Sequence, residues 1–378
     1  MAKIIVIGAG MVGSAMARDL AVNHQVTSAD RNTEALGKLN SEFGINALTL
    51  DVTDKAALQS AVSAFDLVVC AVPGFLGFQT LKWLIEAGKD VADISFFPEN
   101  SLELDALAKE HGVTALVDIG VAPGVDNLIL GYYNERMKLD TFECLVGGLP
   151  KVKKWPFGYK APFSPVDVIE EYMRPARCVE NGHVVIREPL TDAELIEFDK
   201  VGTLESFNTD GLRSIVHTMA HIPNMKEKTL RYPGHIDLIK ALKASGFFSD
   251  KKIIIDDMEI RPIDVTSKIL IDEWKLQPEE EEFTVMRVTV VGTIEDGRRK
   301  RIIYNLYDAY DPETKVSSMS RTTGYTCTAA ANLLLEGKFA EKGVFPPELV
   351  GGKSDCFQFI MNYLKDRGVV YLVNEELL

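Results

Sequence analysis

Apolar runs and amphipathic stretches alternate regularly over the first 120 residues. Aliphatic and β-branched runs typical of buried strands occupy residues 3–7, 25–29, 45–50, 66–72, 90–94 and 114–119. Helical periodicity lies between them, at residues 14–21, 55–63, 76–87 and 102–111. Because strands joined by helices pair in parallel through right-handed crossovers, this pattern predicts an α/β fold with an N-terminal doubly wound parallel sheet.

The pattern changes after about residue 125. Helical periodicity continues at 128–137, a strand is predicted at 141–146, Gly-Gly-Leu-Pro at 147–150 predicts a break, and residues 151–164 predict a loop. Two β-rich runs, 283–294 and 299–309, flank Glu-Asp-Gly-Arg and therefore predict a hairpin. Helices at 323–337 and 355–367 and a strand at 369–373 follow. The second part is therefore expected to be an α+β domain with an antiparallel sheet.

A glycine-rich turn joins the first strand to the first helix. Gly8, Gly10 and Gly13 form a G-x-G-x-x-G pattern around Met11 and Val12. The first glycine permits a tight turn, the second lets the backbone approach a pyrophosphate, and the third lets helix and strand pack closely. The helix also directs its positive N-terminal end at the phosphates. The turn and its strand–helix context predict a dinucleotide-binding Rossmann fold.

The second strand ends in Asp30, about 20 residues past the glycine turn, where an acidic side chain accepts the ribose hydroxyl groups. A carboxylate at this position repels a 2′-phosphate, so NAD is the expected cofactor, although the adjacent Arg31 leaves NADP open. Ligands of such sheets bind beyond the carboxyl ends of the strands. This rule adds six predicted cofactor contacts: Asp51, Val52, Ala71, Val72, Pro73 and Ser95.

The composition restricts the class of protein. A chain of 378 residues predicts two domains, and a net charge of −14 argues against nucleic-acid binding. Five scattered cysteines and no zinc-type spacing predict reduced thiols and no metal site. The apolar start is too short for a membrane span, so a cytoplasmic protein is expected. The acidic run at 279–282 is interpreted as a solvated loop.

Several blocks occur together in order: Gly-Val-Ala-Pro-Gly-Val-Asp-Asn at 120–127, Gly-Gly-Leu-Pro at 147–150, Arg-Pro-Ala-Arg at 174–177, Thr-Asp-Gly-Leu-Arg at 209–213 and Lys-Thr-Leu-Arg-Tyr-Pro-Gly-His at 228–235. In order and spacing the chain resembles the saccharopine dehydrogenase family, and within it the lysine 6-dehydrogenases. Saccharopine reductases usually carry Leu-Asp-Pro-Gly-Ile-Asp and Cys-Gly-Gly-Leu-Pro. Ala122 and Val146 replace the Asp and the Cys here, which argues against the bulky saccharopine substrate.

The resemblance implies a reaction and a domain arrangement. The reaction is oxidation of L-lysine by NAD to 2-aminoadipate 6-semialdehyde, which cyclises to piperideine-6-carboxylate, with release of ammonia and NADH. Residues 1–124 and roughly 322–378 would form the dinucleotide-binding domain, and 125–321 the substrate-binding and dimerisation domain of a homodimer or larger oligomer.

Amine oxidation requires a base, a positioned C–H bond and an anchor for the substrate carboxylate. Arg231 is the preferred anchor, with Arg213 and Arg174 as rivals. Asp118 and Asp126 follow the last strand of the sheet and are candidates for the base or for holding the ammonium, although Asp126 would equally cap a helix. The remaining candidates are His217, four residues past the Thr-Asp-Gly-Leu-Arg block, and Lys160 in the irregular loop for proton transfer, and His235, Tyr159 and Phe157 for the pocket.

Two alternatives stay open. One is a saccharopine reductase-like or carboxynorspermidine-type dehydrogenase that uses NAD(P), which Arg31 and the Lys-rich loop favour. The other is a dinucleotide-binding sensor without turnover.

Overall fold

The computed structural model describes residues 1–277 and 280–378. It contains eighteen strands within those ranges: β1 Lys3–Ile7, β2 Gln25–Asp30, β3 Asn46–Thr49, β4 Leu67–Cys70, β5 Val91–Asp93, β6 Thr114–Leu116, β7 Lys138–Pro150, β8 Ala176–Glu180, β9 His183–Arg187, β10 Glu194–Phe198, β11 Gly202–Asn208, β12 Asn224–Arg231, β13 Ile253–Ile255, β14 Met258–Ile260, β15 Glu282–Thr293, β16 Arg299–Ala309, β17 Gly343–Phe345 and β18 Tyr371–Leu377.

The helices in the same ranges are α1 Met11–Ala21, α2 Thr33–Phe43, α3 Lys55–Val62, α4 Gly74–Glu86, α5 Asp105–Glu110, α6 Val125–Asn134, α7 Pro165–Met173, α8 Ile215–Thr218, α9 His235–Ala244, α10 Pro262–Trp274, α11 Ser318–Leu335, α12 Pro347–Gly351 and α13 Ser354–Asp366, with a 3₁₀ turn at Ser101–Leu104 before α5. No helix of this described part of the chain is long and apolar enough to cross a membrane.

The first sheet has the order β17-β6-β5-β4-β1-β2-β3, and all of its pairings are parallel. The predicted doubly wound sheet is therefore confirmed. Its central strand is buried along Ile4–Ile7, as expected for a strand covered by helices on both faces. The seventh strand, β17, comes from far along the chain and was not predicted.

The end of the chain contributes to both sheets. Strand β17 pairs with β6, and α11 packs against α1, where a Cβ at Gly324 would lie 3.2 Å from Met16. Strand β18, however, pairs antiparallel with β16. The domain boundaries at residues 124 and 322 therefore stay a prediction. One segment of the C-terminal part, β18, joins the second sheet and not the first.

The second sheet has the order β10-β11-β12-β7-β15-β16-β18, with β8 on β12 and β9 on β8. Its pairings are antiparallel except that β12 runs parallel to β7, so the sheet is mixed. The predicted hairpin is confirmed as β15–β16. Residues 224–229 of β12 pair with β7 and residues 228–231 pair with β11, so β12 lies inside the sheet.

The predicted break at residues 147–150 is wrong, because β7 continues through Pro150. Gly147 and Gly148 are needed for close approach and not for a turn. A Cβ at Gly147 would lie 2.6 Å from the carbonyl oxygen of Leu230, and one at Gly148 would lie 2.6 Å from Met319. Glycine in a strand is typical of such contacts.

The solvated loop predicted at residues 279–282 is wrong at its last residue, Glu282. Glu279 lies outside the described residues. Glu281 pairs with Lys151 at 2.6 Å on the surface. Glu282 is instead the buried first residue of β15, and it accepts hydrogen bonds from the backbone N–H groups of Ser318 and Met319 at the start of α11. Desolvation raises the pKa of Glu282 to about 8.

Candidate active site

A cavity of about 480 Å³ lies between the carboxyl ends of the first sheet and the second sheet. The first sheet lines one end with the glycine turn and the loops after β2, β3 and β4. Helix α7, residues 209–211 and β12 line the other end together with Asp118, and we call this the substrate end. The position agrees with the rule that ligands of open α/β sheets bind beyond the strand ends.

The glycine turn has the geometry that a dinucleotide requires. Gly8 has a φ of +108°, and a Cβ there would lie 2.5 Å from the carbonyl oxygen of Ala71. A Cβ at Gly13 would lie 2.0 Å from the Gly8 oxygen, so α1 and the turn are in direct contact. No described atom lies within 4 Å of the Cβ position of Gly10, which leaves room for a pyrophosphate. Met11 and Val12 also line the cavity.

Asp30 lies beside this turn at the end of β2 and lines the cavity. Its Oδ2 accepts the Ala9 N–H at 2.6 Å, and its Oδ1 accepts the Asn32 N–H at 2.8 Å. The carboxylate is thus fixed in place while keeping lone pairs for ribose hydroxyl groups. Arg31 follows it into the cavity and is exposed.

The other predicted cofactor contacts follow the strand ends, with one exception. Asp51, Val52, Ala71, Val72 and Pro73 line the cavity. The hydrogen bonds that Asp51 accepts from the backbone and hydroxyl groups of Thr53 lower the pKa of its carboxyl group.

Ser95 does not line the cavity, and its prediction as a cofactor contact needs correction. It is buried beside Cys70, with its Oγ 3.7 Å from that sulfur, because α4 packs over it at Gly77. The flanking residues Ile94 and Phe96 line the cavity instead.

Asp118 and Arg213, predicted as a base and as a rival anchor, form a buried ion pair with each other. Arg213 Nε lies 3.0 Å from both carboxylate oxygens of Asp118, and its Nη2 lies 2.9 Å from Oδ1. Arg213 also donates to the carbonyl oxygen of Phe97 at 2.5 Å. Asp118 lines the cavity, whereas Arg213 does not. Because Asp118 follows β6 of the first sheet and Arg213 follows β11 of the second, the pair connects the two halves of the site.

Arg231 reaches the cavity from the end of β12 and is only 2% exposed. Its Nη2 lies 3.2 Å from Oε2 of Glu171, and its guanidinium carbon lies 4.3 Å above the ring of Tyr159. Nε and Nη1 donate to the Tyr172 hydroxyl and the Leu230 carbonyl. Because a guanidinium group has five N–H donors, Arg231 keeps donors for a substrate carboxylate.

Arg174, the other rival, lines the cavity just after α7. Its guanidinium carbon lies 5.4 Å from the ring of Phe96, and its Nη2 is 4.0 Å from Glu170. Arg174 is therefore less engaged than Arg231 within the described residues.

His235 and Tyr159 do not line the cavity. Tyr159 packs against the guanidinium group of Arg231, and His235 is linked to Arg231 through Tyr172. His235 Nδ1 lies 3.0 Å from the Phe157 carbonyl and must donate to it, so Nε2 accepts from Tyr172 at 2.9 Å. The Tyr172 oxygen is then free to accept from Arg231 Nε. Desolvation, with the charge of Arg231, lowers the pKa of His235 to about 3, so its ring stays neutral. Phe157 packs edge-on against the neighbouring Trp274.

Three further predicted catalytic residues do not line the cavity. Asp126 is buried in the first turn of α6, where it accepts the Gly124 N–H at 2.8 Å and desolvation raises its pKa to about 7. Lys160 donates to the Glu273 carbonyl, which fastens its loop to α10. His217 is exposed on α8.

Sequence reasoning missed four carboxyl groups at the substrate end, namely Asp167, Glu171, Asp210 and Glu227. A usable signal existed for the last of these. Glu227, Thr229 and Arg231 alternate along β12 and therefore share one face of the strand, and all three line the cavity.

The substrate end combines acidic groups with two arginines. Asp210 is held by Arg177 at 2.8 and 2.9 Å, and Thr209 meets Thr229 at 2.8 Å between their hydroxyl oxygens. Desolvation raises the pKa of Glu171 to about 7 in spite of Arg231. Such a site can bind a carboxylate at the arginines and ammonium groups at the carboxyl groups, and it can accept protons near neutral pH.

Two family models match the chain. The model described as the saccharopine dehydrogenase NADP binding domain matches residues 4–116, and the one described as the saccharopine dehydrogenase C-terminal domain matches residues 120–369.

Curated relatives carry related names. The mouse mitochondrial alpha-aminoadipic semialdehyde synthase is 22% identical over 98% of this chain, which spans about half of that relative's length (47%). The saccharopine dehydrogenase [NADP(+), L-glutamate-forming] of Saccharomyces cerevisiae is 28% identical over 66% of this chain and 59% of its own. The carboxyaminopropylagmatine dehydrogenase of Synechocystis is 22% identical over 92% of both chains.

Solved structures show the same fold. The apo L-glutamate-forming saccharopine dehydrogenase of S. cerevisiae superposes with a TM-score of 0.80 at 22% identity over the whole of both chains. The homospermidine synthase of Legionella pneumophila, solved with NAD, gives a TM-score of 0.69 at 13% identity over 99% of this chain and 91% of its own.

Proposed function

The chain belongs to the saccharopine dehydrogenase family of oxidoreductases, and on this premise we propose that it catalyses NAD-dependent oxidative deamination of L-lysine at C6. L-Lysine, NAD and water give 2-aminoadipate 6-semialdehyde, ammonium, NADH and one proton, and the semialdehyde cyclises to piperideine-6-carboxylate. The bound dinucleotide supplies the hydride acceptor. The residues of this chain bind and orient the amino acid and accept the amine proton.

The charge of the substrate end carries this proposal. Saccharopine has three carboxylates, whereas L-lysine has one carboxylate and two ammonium groups. The described lining of the substrate end holds two arginines, Arg174 and Arg231, against five carboxyl groups: Asp118, Asp167, Glu171, Asp210 and Glu227. Three of those carboxyl groups pair with arginines: Asp118 with Arg213, Asp210 with Arg177, and Glu171 with Arg231. The N–H donors that Arg231 keeps suit one substrate carboxylate, and the excess of carboxyl groups suits cationic nitrogen atoms.

NAD is the proposed cofactor because the Asp30 carboxylate lies next to the glycine turn, where a 2′-phosphate would meet like charge. The family model is described as NADP binding and Arg31 lines the cavity, so the choice rests on Asp30. Cofactor preference can therefore be tested by replacing Asp30.

Asp30→Ala is expected to raise the dissociation constant of NAD about tenfold or more, because hydrogen bonds to a charged group contribute about 1.5–3 kcal/mol. NADP binding should weaken less, since the like charge is removed with the hydrogen bonds. The same comparison can be made with NADH and NADPH, whose dissociation constants are measured by fluorescence titration. Glu34→Ala, an exposed acidic residue at the start of α2, is the control. An unchanged ratio of the two constants would contradict the role of Asp30.

The amine specificity is tested by following NADH or NADPH formation with L-lysine, L-ornithine, saccharopine and carboxynorspermidine. We expect turnover with L-lysine and NAD, accompanied by one ammonia for each NADH. Turnover with saccharopine and no turnover with lysine would overturn the substrate while keeping the family. Tight NADH binding without oxidation of any amine would favour a dinucleotide sensor.

A carboxylated polyamine is the second candidate substrate. The Synechocystis relative is named for such a compound and matches 92% of both chains. A polyamine carries several cationic nitrogen atoms and would also suit the five carboxyl groups of the substrate end. Carboxynorspermidine in the panel distinguishes the two substrates.

A homodimer remains our proposal for the assembly. The β13–β14 hairpin exposes Ile254 and Met258, and α10 exposes Ile269 on the same segment of chain. Exposed apolar residues of this kind support self-association.

A further inference from the structure

Glu227 is a buried carboxyl group directed into the substrate end from the middle of β12. It is 5% exposed, lines the cavity, and shares a strand face with Thr229 and Arg231. Its Oε2 has no hydrogen-bond partner among residues 1–277 and 280–378. A buried polar oxygen without a partner costs free energy, so a substrate donor at this position would satisfy a group that the protein leaves unsatisfied.

The neighbouring backbone leaves space for this carboxyl group. A Cβ at Gly211 would lie 0.8 Å from Glu227 Oε2 and 1.7 Å from its carboxyl carbon. Any side chain at 211 would therefore occupy the place of the carboxyl group. Gly211 itself lines the cavity, in the loop that also carries Asp210 and leads to Arg213.

The other carboxyl groups of the substrate end are engaged elsewhere. Asp118 is paired with Arg213, Asp210 with Arg177, and Glu171 with Arg231. Asp167 on α7 interacts with the Ser164 side chain and with the backbone N–H of Gly74 at the start of α4. Glu227 is therefore the carboxyl group of this set that is left for the substrate nitrogen.

The surroundings of Glu227 favour its protonated form in the free protein by raising its pKa. Desolvation raises its pKa well above the usual range of a carboxyl group, nearby acidic groups raise it further, and Arg213 lowers it. The ionisable groups that face it from the elements packed around it are Asp126 on α6, Cys144 on β7, Glu171 on α7, Asp210 and Arg213. Ala122 and Val146, which also line the cavity, cannot accept a proton.

We propose, building on the proposed function, that Glu227 is the catalytic residue that accepts the proton of the substrate amine. The amine enters as an ammonium ion and Glu227 as a neutral carboxyl group, so one proton leaves to solvent on binding. The resulting carboxylate then takes one N–H proton from the ammonium group. The nitrogen lone pair is thereby free to form the C=N bond as hydride leaves the adjacent carbon.

Replacing Glu227 with glutamine keeps its shape and removes the proton acceptor. We expect kcat to fall about 100-fold or more, within the usual range for general bases, with KM for the amine changed less than about fivefold. In the native protein kcat/KM for the amine should rise with pH up to the raised pKa of Glu227 and then level off, because kcat/KM reports the free protein, and Glu227→Gln should lose this acid limb. Glu227→Asp keeps the carboxyl group and should keep the limb at a lower kcat.

Glu348→Gln is the matched control. Glu348 is 1% exposed, its Oε2 is also without a partner within the described residues, and desolvation raises its pKa to about 7, but it does not line the cavity. This variant should keep kcat and its pH profile. Equal losses in Glu348→Gln and Glu227→Gln would reduce the effect to disturbance of a buried acid and overturn the proposal.

Failure of the substrate assignment can be separated from failure of Glu227. If the protein oxidises another amine of the panel, the lysine proposal falls and the same variants are measured with that amine. If it oxidises none, the number of protons released when lysine binds to the NADH complex is measured by calorimetry in two buffers of different ionisation heat. This number tests the role of Glu227 without turnover. Release of about one proton per lysine that Glu227→Gln abolishes supports the role, and equal release, or no binding, overturns it.

Discussion

Replacing Arg231 with alanine is expected to raise KM for L-lysine about 100-fold while leaving the dissociation constant of NAD within about twofold. The loss corresponds to about 2.7 kcal/mol, a reasonable value for a bidentate, buried hydrogen bond between charged groups. The substitution should not unfold the protein, because Glu171, which loses its partner, already has a pKa of about 7 and can take up a proton. Arg231→Lys should recover only part of the affinity, since an ammonium group cannot form the two parallel bonds.

Cadaverine, which is lysine without its carboxylate, tests whether Arg231 is the anchor. The native protein should oxidise it poorly, and Arg231→Ala should not lower its kcat/KM further. Arg287→Ala is the control, since Arg287 also stacks on an aromatic ring of the second sheet, with its guanidinium carbon 4.4 Å from the ring of Phe198, but does not line the cavity. An equal loss for lysine and cadaverine would contradict the anchor role.

Breaking the Asp118–Arg213 pair should cost the most stability. Either Asp118→Ala or Arg213→Ala leaves a buried charge without its partner, and we expect the free energy of unfolding to fall by about 3–5 kcal/mol. Asp118→Asn should cost less, because asparagine tolerates the φ of 52° at this position and keeps a hydrogen-bond acceptor. Urea denaturation without cofactor measures the differences.

The double variant separates the pair from its surroundings. Asp118→Ala and Arg213→Ala each remove the same ion pair. The double variant should therefore lose less free energy of unfolding than the sum of the losses in the two single variants. Arg177→Ala is a useful comparison, since its partner Asp210 belongs to a half-buried ion pair in the same cavity. Additive and small effects would show that the pair does not hold the two halves of the site together.

The sequence was informative wherever chemistry depended on neighbours along the chain. The glycine turn, the acid at the end of β2 and the strand–helix alternation are all local features, and the structure places them together at one end of the cavity. The hairpin was predicted from Asp-Gly between β-rich runs for the same reason.

Prediction failed where a residue's role depends on distant parts of the chain. Gly147 and Gly148 look like turn residues, but Leu230 and Met319 press against their backbone. Ser95 follows a strand, as a cofactor contact should, yet α4 covers it. His217 and Lys160 belong to recognisable segments, but their side chains lie outside the cavity.

The sequence by itself determined the dinucleotide-binding fold, the acidic residue beside the glycine turn, and the family. Only the tertiary structure decided which charges belong together: Asp118 with Arg213, and Glu171 with Arg231, whereas Glu227 Oε2 has no hydrogen-bond partner among the described residues. The physical reason is that burial and pairing set the behaviour of a carboxyl group. Both arise only when segments a hundred residues apart meet, as Asp118 and Arg213 do 95 positions apart.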